Sequence, residues 1–235
     1  MNRDELFDTP IVKQFEFDDA VVSVFDDMVN RSVPFYAQTQ QLIVNYLSGM
    51  LAPQERVYDL GCSTASTLLA LEQKAPHATL IGIDSAHAMI EQALRKKEAL
   101  ESRIELVVGD IVAYEYLPSR AIICNYTLQF VRPLKRQMLL QKIYDALLPQ
   151  GVLVLSEKLI VDEKRTNKQF IDLYYDYKKA QGYSSTQIAQ KREALENVLV
   201  PYSYEENVQM LKMAGFSHVE VLFRWVNFAT FVAIK

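Results

Sequence analysis

The hydrophobic positions along the chain change their spacing twice. Val21, Val24, Phe25, Met28 and Val29 recur at helical intervals behind Phe17-Asp18-Asp19-Ala20. This predicts a helix ending near Asn30-Arg31-Ser32-Val33-Pro34, because Pro34 disfavours helical backbone at the residue before it. Phe35 and Tyr36 follow the break, and a second helix is expected over 38–50. From 56 onward short apolar runs take over, at 56–60, 79–84, 104–108, 121–125 and 152–155. They alternate with helical stretches at 64–74, 86–100 and 134–147. Such alternation predicts parallel strands joined by right-handed helical crossovers. The runs are apolar almost throughout, as expected of strands covered on both faces.

Beyond 158 the rhythm breaks again. A long aromatic-rich helix is expected over 162–181, carrying Phe170, Leu173, Tyr174 and Tyr177. Gly182-Tyr183-Ser184-Ser185 interrupts it, and another helix is expected over 186–199. A third, over 204–214, is capped by Ser203 and ended by Gly215. Two strand-like runs, 218–225 and 227–235, should pair antiparallel at the sheet edge. The expected class is therefore α/β: one domain with a mostly parallel sheet and a C-terminal antiparallel hairpin. Within it, 1–55 forms a helical cap, 56–158 a cofactor-binding core, 159–200 a helical lid insertion, and 201–235 the final helix and edge hairpin.

The most informative stretch is Val57-Tyr58-Asp59-Leu60-Gly61-Cys62-Ser63. It reads as a buried strand running into a tight turn and then a helix, where an open α/β sheet presents backbone N–H groups to a ligand. Gly61 lets that ligand approach the backbone. Asp84 closes the next strand about 20 positions on, which suits a ribose diol. A dinucleotide fingerprint would need glycines at 63 and 66, where Ser63 and Ser66 stand, so a cofactor without a pyrophosphate fits better. S-adenosylmethionine is such a cofactor. At the strand ends, Asp110 suits an adenine amine, the Ile111 N–H a ring nitrogen, and Asn125 the amino-acid end of the cofactor. Each could instead be an ordinary capping residue. Phe35 or Tyr36 is a candidate wall of the site.

Charge and cysteine content narrow the picture. Lys and Arg number 25 against 29 Asp and Glu, a formal net charge of −4. That is no footprint for a polyanion, so direct nucleic-acid binding is not expected. Arg95-Lys96-Lys97 reads as a solvated helix face. Cys62, Cys124 and three scattered histidines offer no metal-ligand spacing, and both cysteines read as reduced core residues. No apolar run approaches the ~18 residues of a membrane span. The first residues carry acids and do not read as a secretory signal, so a cytoplasmic location is expected. Arg192 alone reads as a surface cation with Glu196 at i+4.

Longer runs of residues carry a resemblance. They are Phe25-Asp26-Asp27-Met28 with Arg31-Ser32-Val33-Pro34 and Tyr36; Tyr58-Asp59-Leu60-Gly61-Cys62-Ser63; and Asn125-Tyr126-Thr127-Leu128-Gln129-Phe130. Leu153-Val154-Leu155-Ser156-Glu157-Lys158, Gly182-Tyr183-Ser184, Lys191-Arg192 with Ala194-Leu195-Glu196-Asn197-Val198, and Ala214-Gly215-Phe216 complete the set. Across nearly its whole length the chain resembles the carboxy-S-adenosyl-L-methionine synthases, members of the Rossmann-like class I methyltransferase fold. The resemblance implies that Tyr36, Gly61, Cys62, Ser63, Asp84, Ser85, Asp110, Ile111, Asn125 and Arg192 contact the cofactor. Two positions depart from the family pattern. Ser85 replaces a frequent amide, and Thr64-Ala65 stand where another Gly is usual.

The resemblance further implies that S-adenosylmethionine and prephenate become carboxy-S-adenosyl-L-methionine, phenylpyruvate and water. The product would supply a partner enzyme that modifies wobble uridine in tRNA. Prephenate would lose carbon dioxide and expel hydroxide as its ring aromatises. Hydroxide would deprotonate the sulfonium methyl group, and the ylide would capture the carbon dioxide. The new carboxylate needs a cation, which gives Arg192 its catalytic part. Tyr174, Tyr175 and Arg165 are candidates for holding prephenate, and the 170–177 face with the helical N-terminus is a candidate homodimer surface. Two other readings share the cofactor site: a methyltransferase acting on a small molecule or tRNA, and a non-catalytic S-adenosylmethionine-binding partner subunit.

Overall fold

The computed structural model describes residues 4–7 and 15–235. The start of the expected 1–55 helical cap lies partly outside the described residues. Two helices come first, α1 (Asp19–Ser32) and α2 (Tyr36–Ser48). The Asp18 carboxylate caps α1 by accepting from the Val21 amide. Then come β1 (Arg56–Leu60), α3 (Ser66–Lys74), β2 (Thr79–Asp84), α4 (His87–Ala99), β3 (Glu105–Val108), β4 (Ser119–Asn125), α5 (Pro133–Ala146) and β5 (Leu147–Ile160). The helices α6 (Lys164–Ala180) and α7 (Ser185–Ala194) follow. The short β6 (Tyr202–Ser203), α8 (Tyr204–Met213), β7 (His218–Trp225) and β8 (Phe228–Ile234) end the chain.

The sheet runs β3-β2-β1-β4-β5-β8-β7, with β6 pairing β5 off this path. β1 to β5 are parallel, whereas β8 is antiparallel to both neighbours. Alternation within β1 divides the core. Tyr58 and Leu60 pack with Leu139, Leu140, Ile143 and Leu211 of α5 and α8. Val57 packs with Ile43, Leu47, Leu68 and Ala93 on the α2–α3–α4 side. Strand order reverses between β1 and β4, so the carboxyl ends of those strands open a crevice.

Several elements differ from the sequence reading. Helix α3 begins at Ser66, two residues late, because Ser63 and Ala65 take left-handed backbone and lengthen the turn. β5 runs from 147 to 160, beyond the expected 152–155, since β4, β8 and β6 pair different parts of it. Helix α7 stops at Ala194, five residues short of Leu199; Asn197 beyond it has φ 62°. The 3-10 turn Leu128–Phe130 and β6 were not expected. The final hairpin and the Ser203 cap are as read, the cap as a reciprocal box with Glu206.

Candidate active site

A cavity of about 750 Å³ lies above the carboxyl ends of β1, β2 and β4 and reaches under α1, α6 and α7. All ten sequence-predicted site residues line it: Tyr36, Gly61, Cys62, Ser63, Asp84, Ser85, Asp110, Ile111, Asn125 and Arg192. Phe35 does not; it faces Tyr177, Phe223 and Trp225 instead. Arg165 is also absent from the wall, whereas Tyr174 and Tyr175 are part of it.

The loop after β1 is tightly fixed. Gly61 has φ 72°, and a Cβ there would meet Thr127 at 2.5 and 2.7 Å. The Gly61 and Cys62 amides donate to the Ile83 carbonyl at 2.8 and 3.1 Å, and the Ser63 amide to Asp84 at 2.9 Å. The first three donors of the turn are thus committed to β2. The loop offers an incoming ligand its uncluttered backbone face, not the free N–H groups read from the sequence. The other Asp84 oxygen accepts from the Ala86 amide at 2.9 Å. Two backbone donors orient this carboxylate and leave lone pairs for ribose hydroxyls. Asp110 is held similarly by the Val112 amide at 2.8 Å.

Asp59, within the strand that leads into the Gly61 turn, is 3% exposed and lines the cavity. Burial, aided by Asp84, pushes its carboxyl up to about 7. Burial and the charges of Asp59 and Asp26 push the Tyr36 phenol far above its usual value; Thr67 and Asn125 face that hydroxyl. Asn125 Oδ1 and the Tyr126 hydroxyl are buried on the wall and have no hydrogen-bond partner among the described residues. Orphaned acceptors of this kind fit the ammonium end of an amino-acid-bearing nucleoside. Carboxylates for a ribose, a bare loop face and unfilled acceptors together fit S-adenosylmethionine.

The opposite wall is cationic. Lys158, Lys178, Lys191 and Arg192 all line it. Lys191 is buried, bonds the Ser32 hydroxyl at 2.7 Å and lies 3.4 Å from Asp4. Burial pushes it down to about 8, with Asp4 opposing. Arg192 stands at the rim, its side chain 63% exposed and 4.0 Å from Glu193, not paired with Glu196 as the i+4 spacing suggested. No His lines the cavity. The lysines were missed because single cations scattered over β5, α6 and α7 have no spacing to betray them.

Two clusters fasten the cap over the site. Asp26 bonds Lys96 at 2.5 Å and the Thr64 hydroxyl at 2.7 Å, tying α1 to the β1 loop and α4. Lys96 is therefore not on a solvated face: its side chain is only 24% exposed. Around the end of α1, Tyr174 donates to the Ser32 carbonyl at 2.9 Å, and Ser32 Oγ meets the Tyr183 hydroxyl at 3.2 Å. Arg31 stacks 4.2 Å over the Tyr183 ring and donates to the Gln181 carbonyl at 2.9 Å.

Comparison with known proteins agrees with this geometry. Residues 57–151 match a family model described as a methyltransferase domain. Among solved structures, a putative O-methyltransferase from Nostoc punctiforme aligns with TM-score 0.65 and 19% identity, over 92% of this chain and 59% of that one. Human N-acetylserotonin methyltransferase, solved with S-adenosylmethionine, aligns with TM-score 0.64 and 16% identity, over 92% and 55%. At such identities these share the fold alone. The sequence relatives are nearer. Carboxy-S-adenosyl-L-methionine synthase of Nautilia profundicola is 53% identical over 99% of both chains. That of Nitratiruptor sp. is 53% identical over 100% of this chain and 99% of its own. That of Helicobacter hepaticus is 50% identical over 99% and 100%. Half of all positions agreeing from end to end, cap and insertion included, sets this chain apart from methyltransferases that share the fold at under 20% identity: it belongs to the carboxy-S-adenosyl-L-methionine synthase family.

Proposed function

We propose that this protein converts S-adenosylmethionine and prephenate into carboxy-S-adenosyl-L-methionine, phenylpyruvate and water. The observation that carries the reading is a single cavity with a nucleoside cradle at one end and an excess of cations at the other. A methyl donor's acceptor site needs no such cations, whereas a dicarboxylate substrate and a carboxylated product both do. The cradle residues are Tyr36, Gly61, Cys62, Ser63, Asp84, Ser85, Asp110, Ile111 and Asn125. The chain itself binds, orients and excludes water. Prephenate loses carbon dioxide and hydroxide as its ring becomes aromatic. Hydroxide removes a proton from the sulfonium methyl group, giving water and an ylide, and the ylide carbon bonds to carbon dioxide before it escapes. No protein base is required, in keeping with a cavity without His.

Arg192, at the rim, has a long and weakly anchored side chain suited to meeting the product carboxylate. A charge-assisted contact of that kind is worth about 1.5–3 kcal/mol, or roughly 10- to 150-fold in affinity. The test is a mass measurement. Incubation with both substrates should yield a nucleoside heavier than S-adenosylmethionine by one carbon dioxide, and a transferred methyl group would refute the reading. Arg192→Ala should weaken the carboxylated nucleoside far more than S-adenosylmethionine; equal losses would remove the role given to Arg192.

The same reading places the product upstream of a tRNA wobble-uridine modifying enzyme, in the cytoplasm. The net charge of −4 supports a small-molecule partner and not direct RNA binding. No described helix is long and apolar enough to cross a membrane. Exposed Leu173 on α6 and Phe35 support a homodimer through this face. A monomer mass in sedimentation would discard that.

A further inference from the structure

Lys158 and Lys178 are the unexplained charges of the cavity. Lys158 ends the stretch of β5 paired with β8, opposite Phe228, and Lys178 sits in the last turn of α6. Their Nζ atoms lie 5.1 and 4.6 Å from the centroid of one ring, that of Tyr174. That ring is pinned by its hydroxyl bond to Ser32. Lys178 is 5% exposed. Among the described residues neither lysine has a carboxylate within salt-bridge distance. Asp4 acts on Lys178 only from afar, since its carboxylate takes the Tyr183 hydroxyl and Lys191.

A buried ammonium without a counter-ion costs several kcal/mol. Burial accordingly holds both lysines below their ordinary range, and for Lys178 the neighbouring Lys191 and Lys158 add to it. Two such charges on one wall, both facing a ligand cavity, mark the place of an anion. Beside them Tyr126, Tyr174 and Phe228 form an apolar cluster that suits a six-membered ring.

We propose that Lys158 and Lys178 together hold the 2-oxo acid carboxylate of the second substrate, with its ring against the Tyr126–Phe228 cluster. The inference rests on the reaction proposed above. The choice between the two carboxylates of prephenate follows from chemistry. An ion pair stabilises a carboxylate and so opposes its loss as carbon dioxide. The ring carboxylate, which must leave, belongs in the apolar part of the site, and the carboxylate that survives in phenylpyruvate belongs on the lysines.

The experiment uses Lys158→Met, Lys178→Met and the double variant, each read for S-adenosylmethionine affinity, prephenate KM and inhibition by phenylpyruvate. S-adenosylmethionine affinity should stay within about twofold, which also reports a folded cradle. Prephenate KM should rise roughly 10-fold or more for each lysine. The phenylpyruvate inhibition constant should rise in parallel, because the product keeps the carboxylate assigned to the lysines. In the wild-type chain, phenylpyruvate should shield Lys158 and Lys178 from acetylation, read by peptide mass, whether or not the variants fold. Wild-type turnover with unchanged prephenate KM in the variants, or equal acetylation with and without phenylpyruvate, overturns this inference and leaves the reaction standing. A wild-type chain that makes no carboxylated nucleoside overturns both.

Discussion

At the ends of β1 and β2 the polar groups of the cavity are tied down. Asp84 is held by two amides, the loop amides by the Ile83 carbonyl, and Gly61 is wedged against Thr127. Across the cavity, Lys158 and Lys178 have an aromatic ring beside them and, among the described residues, no carboxylate within salt-bridge distance. The cradle is complete before any ligand arrives, and its rigidity costs nothing further on binding. On the inference above, burial disfavours the charged form of the two lysines until an anion arrives to stabilise it. Parts shared by a whole fold family can be satisfied internally, because their ligand is always the same nucleoside. On the proposed reaction, the lysine wall keeps its interactions open for the second substrate.

The firmest way to break this contrast is Gly61→Ala. A side chain at φ 72° costs about 1–2 kcal/mol, and its overlap with Thr127 about 1–3 more. S-adenosylmethionine affinity by calorimetry should fall roughly 100-fold; a loss under about tenfold would mean the cradle is soft. Asp84→Asn should cost roughly 10- to 100-fold, because the amide cannot accept from both backbone donors. A pH series sharpens the comparison further. Asp59 in the free protein ionises near 7, and the sulfonium cation favours its ionised form. Binding therefore releases protons, and affinity should rise about threefold to tenfold from roughly pH 6 to 8; a flat profile would remove Asp59 from the electrostatics of the site. The same raised value means that Asp59 costs the apo fold stability progressively from about pH 4, where an unfolded aspartate ionises, up to about 7, so apo stability should fall over that range and level off above it. The smallest effect is Lys96→Met. Releasing Asp26 should cost about 1 kcal/mol and lower Tm by about 2–4 °C, with a smaller difference at high salt.

The sheet was legible because burial on both faces leaves unbroken apolar runs, and the cradle because its residues cluster at strand ends. Helix α7 was overextended because 195–199 keeps helical composition while Asn197 turns left-handed. The lysine wall was illegible for a different reason. Lys158, Lys178 and Lys191 look like ordinary surface cations until three successive elements fold back on the distant Ser32 of α1 and gather around it and Tyr174. Asp26 and Lys96, 70 positions apart, hid the latch in the same way. The Arg31-Ser32 and Lys191-Arg192 runs carried the family resemblance without revealing why they belong together. The structure supplies the reason: Arg31, Ser32, Tyr183 and Lys191 make a single knot.

That knot has a consequence for traffic. Helix α1 cannot swing outward without dragging α6, the turn at Tyr183 and the last turn of α7, since Tyr174, Tyr183 and Lys191 all grip its last residue. Any outward movement of α1 over the cavity therefore requires several bonds to let go together. On the proposed reaction, that clasp would keep the freed carbon dioxide beside the carbon that must capture it.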